Sequence, residues 1–238
     1  MFVTAPCASS DAAAQYACRV DTSVRFSRLA SSVHLRCRKG RWQTYLAEFP
    51  PLPDQSVLDI GVSPLVDLPG ENHFLQAYPY LDRVTAVSND SNLTTVRRAF
   101  PQVRVMTADA LALPFEDRAF DIAHSNAVIE HVGPLEAQAR FLAEMTRVAH
   151  AGFVSTPNRW FPVDSHTNLL FAHWLPRPMF VATLRRLGRL APGHEWITWL
   201  LSSREFQQLA PDNVQLRLVR QRLAGVTAVV TLVFRHPL

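Results

Sequence analysis

Ser56–Pro64 reads SVLDIGVSP, and this stretch decides the fold of the chain. Its apolar side chains fit a buried strand of a parallel sheet. Asp59 interrupts the apolar run, and a carboxylate there is costly to bury unless it accepts hydrogen bonds. Gly61 follows where the chain can turn sharply and let a ligand approach the backbone. The stretch therefore predicts a first strand that ends at a ligand site, although a core strand with a satisfied aspartate and a turn glycine has the same pattern.

Strand-like and helix-like segments alternate along the rest of the chain. Apolar runs predict strands, and amphipathic segments between them predict helices. The predicted strands after the first are 83–87, 103–106, 120–124, 152–156, 214–219 and 226–234, and the predicted helices are 22–35, 41–49, 71–78, 92–100, 135–148 and one that begins at Ser202. The last two strands meet around Gly225 as an antiparallel hairpin. We therefore predict an α/β fold with a doubly wound, mostly parallel seven-stranded sheet and an antiparallel last strand.

Changes in composition divide the chain into five parts. Residues 1–22 are rich in alanine and serine and predict a mobile tail, and residues 23–53 predict a helical cover. Residues 54–157 form the predicted core. Residues 158–201 hold four of the five tryptophans, and an insertion of this kind between strands is commonly a lid or substrate wall. Residues 202–238 predict a closing helix and hairpin.

Composition and charge restrict the class of protein. With 238 residues, 48% of them hydrophobic, the chain is long enough for one α/β domain with additions or for two small domains. The net charge is +4, and most basic residues are scattered, which argues against a dedicated nucleic-acid groove. No apolar run reaches the roughly 18 residues of a membrane span, and the first residues lack the pattern of a signal peptide.

Three cysteines, Cys7, Cys18 and Cys37, precede the first predicted strand. An odd number without C-x-x-C spacing supports neither a disulfide framework nor a zinc site. We therefore expect a reduced, cytoplasmic setting. No metal site is predicted, because no set of histidine, aspartate and glutamate has the spacing of metal ligands.

Two blocks of sequence carry a family resemblance. V-L-D-I-G is followed by an acid after the second strand and then by D-A-L-A-L-P-F-E-D-R-A-F-D-I-A-H-S-N-A-V-I-E-H-V at 109–132. Together they resemble the class I S-adenosylmethionine-dependent methyltransferases, and most closely the small-molecule branch called type 11. The resemblance covers roughly residues 56–156 and implies a Rossmann-like methyltransferase fold, with 54–157 as the cofactor-binding core. T-P-N-R-W-F-P-x-x-x-H-T at 156–167 resembles a subgroup met beside glycan and lipid biosynthesis enzymes.

The resemblance implies roles for the residues at matching positions. The cofactor is S-adenosyl-L-methionine, and its methionine and ribose end would lie against the first strand's end. An acid after strand two holds the ribose hydroxyls; Ser88 occupies the usual position, so we assign this role to Asp90, two residues later. Asp109 would accept from the adenine amino group. The predicted cofactor residues are Asp59, Gly61, Val62, Asn89, Asp90, Asp109, Ala110, Ser125 and Asn126.

The first loop departs from the family pattern. The usual G-x-G is replaced by Gly61 followed by Val-Ser-Pro, so the backbone path near the methionine moiety must differ. We expect Glu71 and Asn72, at the next helix start, to supply contacts that the lost glycine loop would have made.

Catalysis by methyl transfer requires alignment of the acceptor with the methyl group and exclusion of water. A base is needed only if the acceptor carries a proton with a high pKa. His131 is the candidate base; a histidine bonded to the backbone at a helix end is the competing interpretation. Asn158, Arg159 and His166 are the predicted acceptor-binding residues, and each alone also suits a structural role.

The predicted function is methyl transfer to an oxygen or nitrogen of a small molecule, such as a glycan, lipid or natural-product precursor. An RNA or protein methyltransferase and a non-catalytic S-adenosylmethionine-binding regulatory or scaffold protein stay open as alternatives. A nicotinamide dehydrogenase needs G-x-G-x-x-G after the first strand, which this sequence lacks. The expected partner is a small-molecule acceptor, with no clear nucleic-acid site, no transmembrane segment and a homodimer as a possibility.

Overall fold

A computed structural model of the protein describes residues 28–68, 70–164, 166–167, 169–188, 190 and 199–237. The predicted tail at 1–22 lies outside these residues. The helices are α1 (Arg28–Glu48), α2 (His73–Ala77), α3 (Thr94–Ala99), α4 (Leu135–Val148), α5 (Arg177–Arg186) and α6 (Ser203–Gln208). The strands are β1 (Val57–Ile60), β2 (Val84–Ser88), β3 (Arg104–Thr107), β4 (Phe120–Asn126), β5 (Ala149–Pro157), β6 (Gln215–Leu223) and β7 (Val226–Arg235). Short 3-10 helices cover Leu81–Arg83, Ile129–His131 and Ala172–Trp174.

The seven strands form a single sheet in the order β3-β2-β1-β4-β5-β7-β6. Strands β1 to β5 pair in parallel, and β7 pairs antiparallel with both β5 and β6. The predicted fold is therefore confirmed. After β3 the chain crosses back over the sheet to β4, which pairs with β1. The switch point of the sheet therefore lies between β1 and β4, and ligands of such sheets bind there, outside the carboxyl ends of the strands.

Helix α1 differs from the prediction of two separate helices at 22–35 and 41–49. It continues without a break from Arg28 to Glu48, through Gly40. A glycine inside a helix costs only about 1 kcal/mol, so tertiary packing can override it. A Cβ at position 40 would lie 2.2 Å from the Gln221 amide nitrogen, so a side chain there would require the end of the Gln221 side chain to shift. The glycine thus lets α1 pack closely on β6.

Two apolar clusters cover the two faces of the sheet, because successive side chains of a strand point to opposite faces. One cluster joins β1 and β4 to helices α4 and α6, with Leu58, Phe141 and Phe206 fully buried. The other joins the same strands to α1 and α2. It includes the buried aromatic residues Tyr45, Phe49, Phe74, Tyr78 and Phe153. Helix α1 therefore packs on the sheet as part of the core.

The predicted L-P-F turn between β3 and β4 is held by a side chain of α4. Arg147 donates to the backbone oxygens of Leu113 and Phe115 at 3.0 and 2.7 Å. It also donates to both oxygens of Glu144 at 2.8 Å, and Glu144 accepts from the Leu113 N–H at 2.7 Å. Arg147 reaches Asp117 at 3.1 Å as well. These contacts fix the loop that follows Asp109.

The insertion after β5 is anchored to the sheet by backbone hydrogen bonds. The N–H of Asn158 donates to Ala228 at 2.9 Å, and the N–H of Arg159 donates to Leu201 at 2.9 Å. Helix α6 then begins where the sequence predicts, with a capping box of Ser202 and Glu205. Within the described part of the chain, no helix combines the length and apolar character that crossing a membrane requires.

Candidate functional site

The carboxyl end of β1 packs directly on the segment after β4. Gly61 has a φ of +97°, and its N–H donates to the Val87 oxygen at 2.8 Å. A Cβ at this position would lie 2.2 Å from Cγ2 of Val128. Only glycine fits here without displacement of Val128, which explains why a glycine follows the first strand.

The loop after Gly61 lacks the second glycine of the G-x-G pattern, and the side chain of Asn72 holds this loop in place. The Ser63 N–H donates to the Asn72 side-chain oxygen at 2.8 Å, and the Asn72 amide donates to the Ser63 oxygen at 2.8 Å. Asn72 itself has a φ of 50°. Glu71 pairs with Arg38 of α1 at 3.4 Å. Both residues therefore hold the loop in position, and their contacts with the cofactor stay a prediction.

Asp90 and Asp109 follow neighbouring strands and lie on adjacent loops. Asp90 Oδ1 accepts from the Asn92 N–H at 2.8 Å, and Asp109 Oδ1 accepts from the Leu111 N–H at 2.9 Å. The Thr107 hydroxyl donates to the Asp90 backbone oxygen at 3.1 Å, which ties the two loops together. Asp90 is half-buried and Asp109 is exposed. Their positions agree with the predicted ribose and adenine roles, which stay predictions.

Asp59 lies near the carboxyl end of β1, where it contacts a histidine that packs among aromatic side chains. Its carboxylate lies 2.7 Å from Nδ1 of His124, and both residues are buried. The His124 ring stacks on Phe74 at 4.1 Å and on Phe153 at 5.7 Å between centroids, and the edge of Tyr45 closes the cluster at 5.6 Å. Asp59 is therefore engaged by His124 within the aromatic cluster, and its role in cofactor binding stays a prediction.

The remaining predicted cofactor residues differ in accessibility. Val62 is buried in the core, Asn89 is exposed and Ala110 is half-buried. Ser125 is fully buried, and its hydroxyl donates to the Ile60 oxygen at 3.1 Å. Asn126 is half-buried, and its side-chain oxygen accepts from the Ser155 hydroxyl at 2.7 Å. Asn126 also lines a small cleft beneath α1 together with Arg38, Arg41, Trp42, Tyr45, His73, Phe74, His124 and Phe153.

Helix α1 brings positive charge to this cleft. Arg41 is half-buried, and its Nε has no hydrogen-bond partner among the described residues. Burial, followed by the charge of Arg38, lowers the pKa of Arg41 to about 10. The guanidinium stays charged at neutral pH and would favour an anionic group in the cleft.

Glu130 is a buried carboxylate that the sequence argument missed. It has no exposed surface and follows β4 in the V-I-E-H segment. One carboxylate oxygen accepts from the Thr156 hydroxyl at 3.0 Å, and the other lies 3.8 Å from Nε2 of His166. Burial raises the pKa of Glu130, although the charge of His166 opposes the shift. An acidic residue directly before His131 was the available signal in the sequence.

His166 lies between two carboxylates. Its Nδ1 and its backbone N–H both lie 3.2 Å from Oδ1 of Asp164, which is almost fully buried. Burial opposes ionisation of Asp164, but hydrogen bonds from His166 and Thr167 lower its pKa to about 2. Burial also opposes the charge on His166, yet the hydrogen bond and charge of Asp164 raise its pKa.

Two predicted residues, His131 and His166, come together in the fold. Their ring centroids are 4.9 Å apart at an interplanar angle of 87°. His131 is exposed at the rim of this group, but surrounding protein atoms and the neighbouring His166 lower its pKa. One donor atom each from Glu130, His131 and His166 lies within 4.8 Å of the other two. His166 is far in sequence from Glu130 and His131, so local spacing does not reveal this arrangement.

Asn158 and Arg159 do not join these histidines in any described contact. The Asn158 amide donates to the Thr227 oxygen at 2.8 Å and is buried. The Arg159 guanidinium pairs with Glu205 at 3.5 Å and lies over the ring of Trp160 at 5.4 Å. These contacts support structural positions for both residues, and their acceptor-binding role stays a prediction.

Comparisons of the sequence agree with this architecture. Residues 69–154 match a protein family described as a methyltransferase domain. Two curated relatives from strains of Mycobacterium tuberculosis, each described as a probable S-adenosylmethionine-dependent methyltransferase, are 41% identical over 81 residues. That match covers 32% of this chain and 28% of the length of each relative.

Comparisons of the structure cover most of the chain. A magnesium protoporphyrin IX methyltransferase from Synechocystis, solved with bound S-adenosylhomocysteine, has a TM-score of 0.57 at 13% identity and covers 93% of each chain. The N-methyltransferase NodS from Bradyrhizobium japonicum, also solved with S-adenosylhomocysteine, has a TM-score of 0.52 at 14% identity and covers 92% of this chain and 91% of its own. At these identities the likeness shows the fold alone.

The fold agrees with the resemblance stated above. The chain has the fold of the class I S-adenosylmethionine-dependent methyltransferases, and its residues 69–154 match a methyltransferase domain.

Proposed function

We propose that this protein is an S-adenosylmethionine-dependent methyltransferase that transfers a methyl group to an oxygen or nitrogen of a small molecule. A glycan, lipid or natural-product precursor is the proposed acceptor class. The observation that supports this most strongly is the carboxyl edge of the sheet. There Gly61, Asp90 and Asp109 follow three adjacent parallel strands within a chain that matches the methyltransferase domain.

The loops after β2 and β3 suit the adenosine part of the cofactor. Each of Asp90 and Asp109 uses Oδ1 in its own turn and can offer Oδ2 to a ligand. A carboxylate oxygen accepts hydrogen bonds, which matches the hydroxyl groups of a ribose and the amino group of an adenine. The hydrogen bond from Thr107 to the Asp90 backbone keeps the two loops adjacent, so one ligand could contact both.

S-adenosylmethionine supplies a methyl group on a sulfonium, and transfer to the acceptor is an in-line displacement. The chain contributes position and exclusion of water. The insertion at 158–201 lies on the acceptor side in this proposal, since the backbone N–H of Trp199 donates to the backbone oxygen of Glu130 at 2.8 Å. His131 is exposed beside it. Its assignment as a base remains the prediction made from the sequence.

Calorimetry with S-adenosylmethionine tests the cofactor assignment. We expect Asp109→Ala to weaken binding about 10- to 100-fold, because a hydrogen bond to a charged group contributes about 1.5–3 kcal/mol. Asp109→Asn keeps an oxygen for the Leu111 N–H and preserves the turn, but it places an amide donor where the carboxylate accepted. It should weaken binding similarly.

The matched control is Asp54→Ala, which removes an exposed acid at the opposite edge of the sheet. This variant should bind like the wild type, and circular dichroism should report the same fold for all variants. Equal affinity in the wild type and both Asp109 variants would remove the adenine assignment. Transfer of a labelled methyl group to a panel of hydroxyl and amine acceptors tests turnover, and cofactor binding without transfer to any of them would contradict the enzyme assignment.

A further inference from the structure

The Glu–His–His cluster, formed by Glu130, His131 and His166, has the donor set of a transition-metal site. Each residue offers one ligand atom, and these atoms lie within 4.8 Å of one another. Two imidazoles and one carboxylate are the ligands of several catalytic zinc sites and of non-haem iron sites, which leave further positions open. The three residues come from the turn after β4 and from the insertion, so the sheet and its insertion both build the cluster.

A buried oxygen atom points to a ligand at this place. Glu130 has no exposed surface, and its Oε1 has no hydrogen-bond partner among the described residues. The other oxygen is satisfied by Thr156. A buried carboxylate oxygen without a partner is costly, and native structures normally satisfy it with a hydrogen bond or a metal. Oε1 faces His166 at 3.8 Å, which is beyond hydrogen-bond distance.

Asp164 completes the arrangement behind the cluster. It lies 3.2 Å from Nδ1 of His166 and thereby directs Nε2 of the same ring toward Glu130. Metal-binding histidines commonly donate their second N–H to a carboxylate, which fixes the tautomer and the ring orientation. The Thr167 backbone and hydroxyl also donate to Asp164, at 3.1 and 2.6 Å, so this carboxylate is firmly held.

We propose that the Glu–His–His cluster binds one divalent first-row transition metal ion, with Zn²⁺ as the reference ion. Tetrahedral ligands at zinc distances of about 2.0–2.1 Å lie roughly 3.3–3.5 Å apart. The distance of 3.8 Å between Glu130 and His166 is close to this value. His131 is exposed and is the ligand that would move inward. Three protein ligands leave the fourth tetrahedral position open, and in this proposal His131 is a ligand in place of the base predicted from the sequence.

A metal-free network is the rival explanation of the same contacts. A protonated His166 between Asp164 and Glu130 would compensate both carboxylates without an ion. The two explanations differ in what His131 contributes. In the metal-free network there is no bound ion, so removal of His131 has no metal affinity to change, whereas in the metal site it removes one of three ligands.

Binding of Zn²⁺ and Co²⁺ to the full-length protein separates the two explanations. After treatment with a chelator, calorimetry should show one Zn²⁺ per chain, and Co²⁺ should produce visible absorption bands of a low-coordinate site. His131→Ala should weaken Zn²⁺ binding more than about 100-fold, because second-shell changes alone cost about 10- to 100-fold. Glu130→Gln should do the same, and Asp164→Asn should cost about 10- to 100-fold.

The matched control is His150→Ala, which removes an exposed imidazole of β5 far from the cluster. It should leave the affinity for Zn²⁺ unchanged. Failure of the wild type to bind Zn²⁺, or equal binding in His131→Ala and the wild type, would overturn the proposal. A thiolate-to-cobalt charge-transfer band would place the ion at a cysteine and would overturn it as well.

The metal measurements need no cofactor and no acceptor. Loss of the metal signal with normal S-adenosylmethionine binding would reject this site alone. Normal metal binding without methyl transfer would reject the proposed function alone.

Discussion

Replacing Gly61 by alanine tests how closely the end of β1 packs on the segment after β4. The new Cβ would meet Val128 Cγ2 at 2.2 Å, and the backbone φ of +97° is unfavourable for any residue with a side chain. Two costs therefore add. Crowding in a packed site costs about 1–3 kcal/mol, and holding a non-glycine residue in such a conformation costs roughly 1–3 kcal/mol. The expected loss in the free energy of unfolding is about 2–6 kcal/mol.

Gly225→Ala is the matched control for the backbone cost. Gly225 also has a positive φ, +83°, but nothing lies within 4 Å of a Cβ there. The smaller conformational freedom of alanine in the unfolded chain affects both variants alike, so it cancels in the comparison. The difference between the two variants isolates the crowding cost, which should be about 1–3 kcal/mol.

A double-mutant cycle with Val128→Ala identifies the neighbour. Removing the Val128 methyl groups relieves the collision but leaves the φ of residue 61 unchanged. The double variant should therefore be more stable than the sum of the single effects predicts, with a coupling energy of about 0.5–3 kcal/mol. Urea denaturation followed by circular dichroism gives the free energies of unfolding of the four proteins in the cycle. Equal destabilisation by Gly61→Ala and Gly225→Ala, or strictly additive effects with Val128→Ala, would refute the reasoning.

Two further predictions concern contacts that hold the fold around the site. Ser202→Ala removes the hydroxyl that accepts from the Glu205 N–H at 3.3 Å. The free energy of unfolding should fall by about 1 kcal/mol and the melting temperature by about 2–4 °C. An unchanged melting temperature would show that the cap contributes nothing. Glu144→Gln weakens the contact with Arg147, whose hydrogen bonds lower the pKa of Glu144. It should cost about 1–3 kcal/mol at neutral pH. A carboxyl group with a lowered pKa stabilises the fold above its ordinary pKa of about 4.3, and this stabilisation is lost as the pH falls through the lowered value. The free energies of unfolding of the two proteins should therefore approach each other in denaturation experiments near pH 3. A constant difference between them would contradict the assignment.

Local patterns predicted the elements well, and long-range packing accounts for the differences. Helix α4 begins and ends at the predicted residues 135 and 148, since its apolar spacing and its flanking residues specify both ends. The polar stretch around Gly40 suggested a break between two helices. The break is absent because the aromatic face of α1 and its close approach to β6 stabilise a continuous helix. Local propensity is weak compared with such packing.

The candidate site shows the same division. The sequence placed Asp90 and Asp109 after adjacent strands, and the structure agrees. It also predicted Asp59 as a cofactor residue, which stays a prediction, and the register between β1 and β4 sets its carboxylate beside His124. Which residue of a neighbouring strand lies opposite a given side chain depends on that register, and the register depends on the whole sheet.

By itself, the sequence determined the alternation of strands and helices, the resemblance to methyltransferases and the loops at the carboxyl edge. These features follow from periodicities and turn residues that act over a few positions. Only the tertiary structure decided that Asn72 holds the first loop and that Glu130, His131 and His166 meet. The reason is physical: contacts between residues far apart in the chain arise from the packing of whole elements, and no local spacing records them.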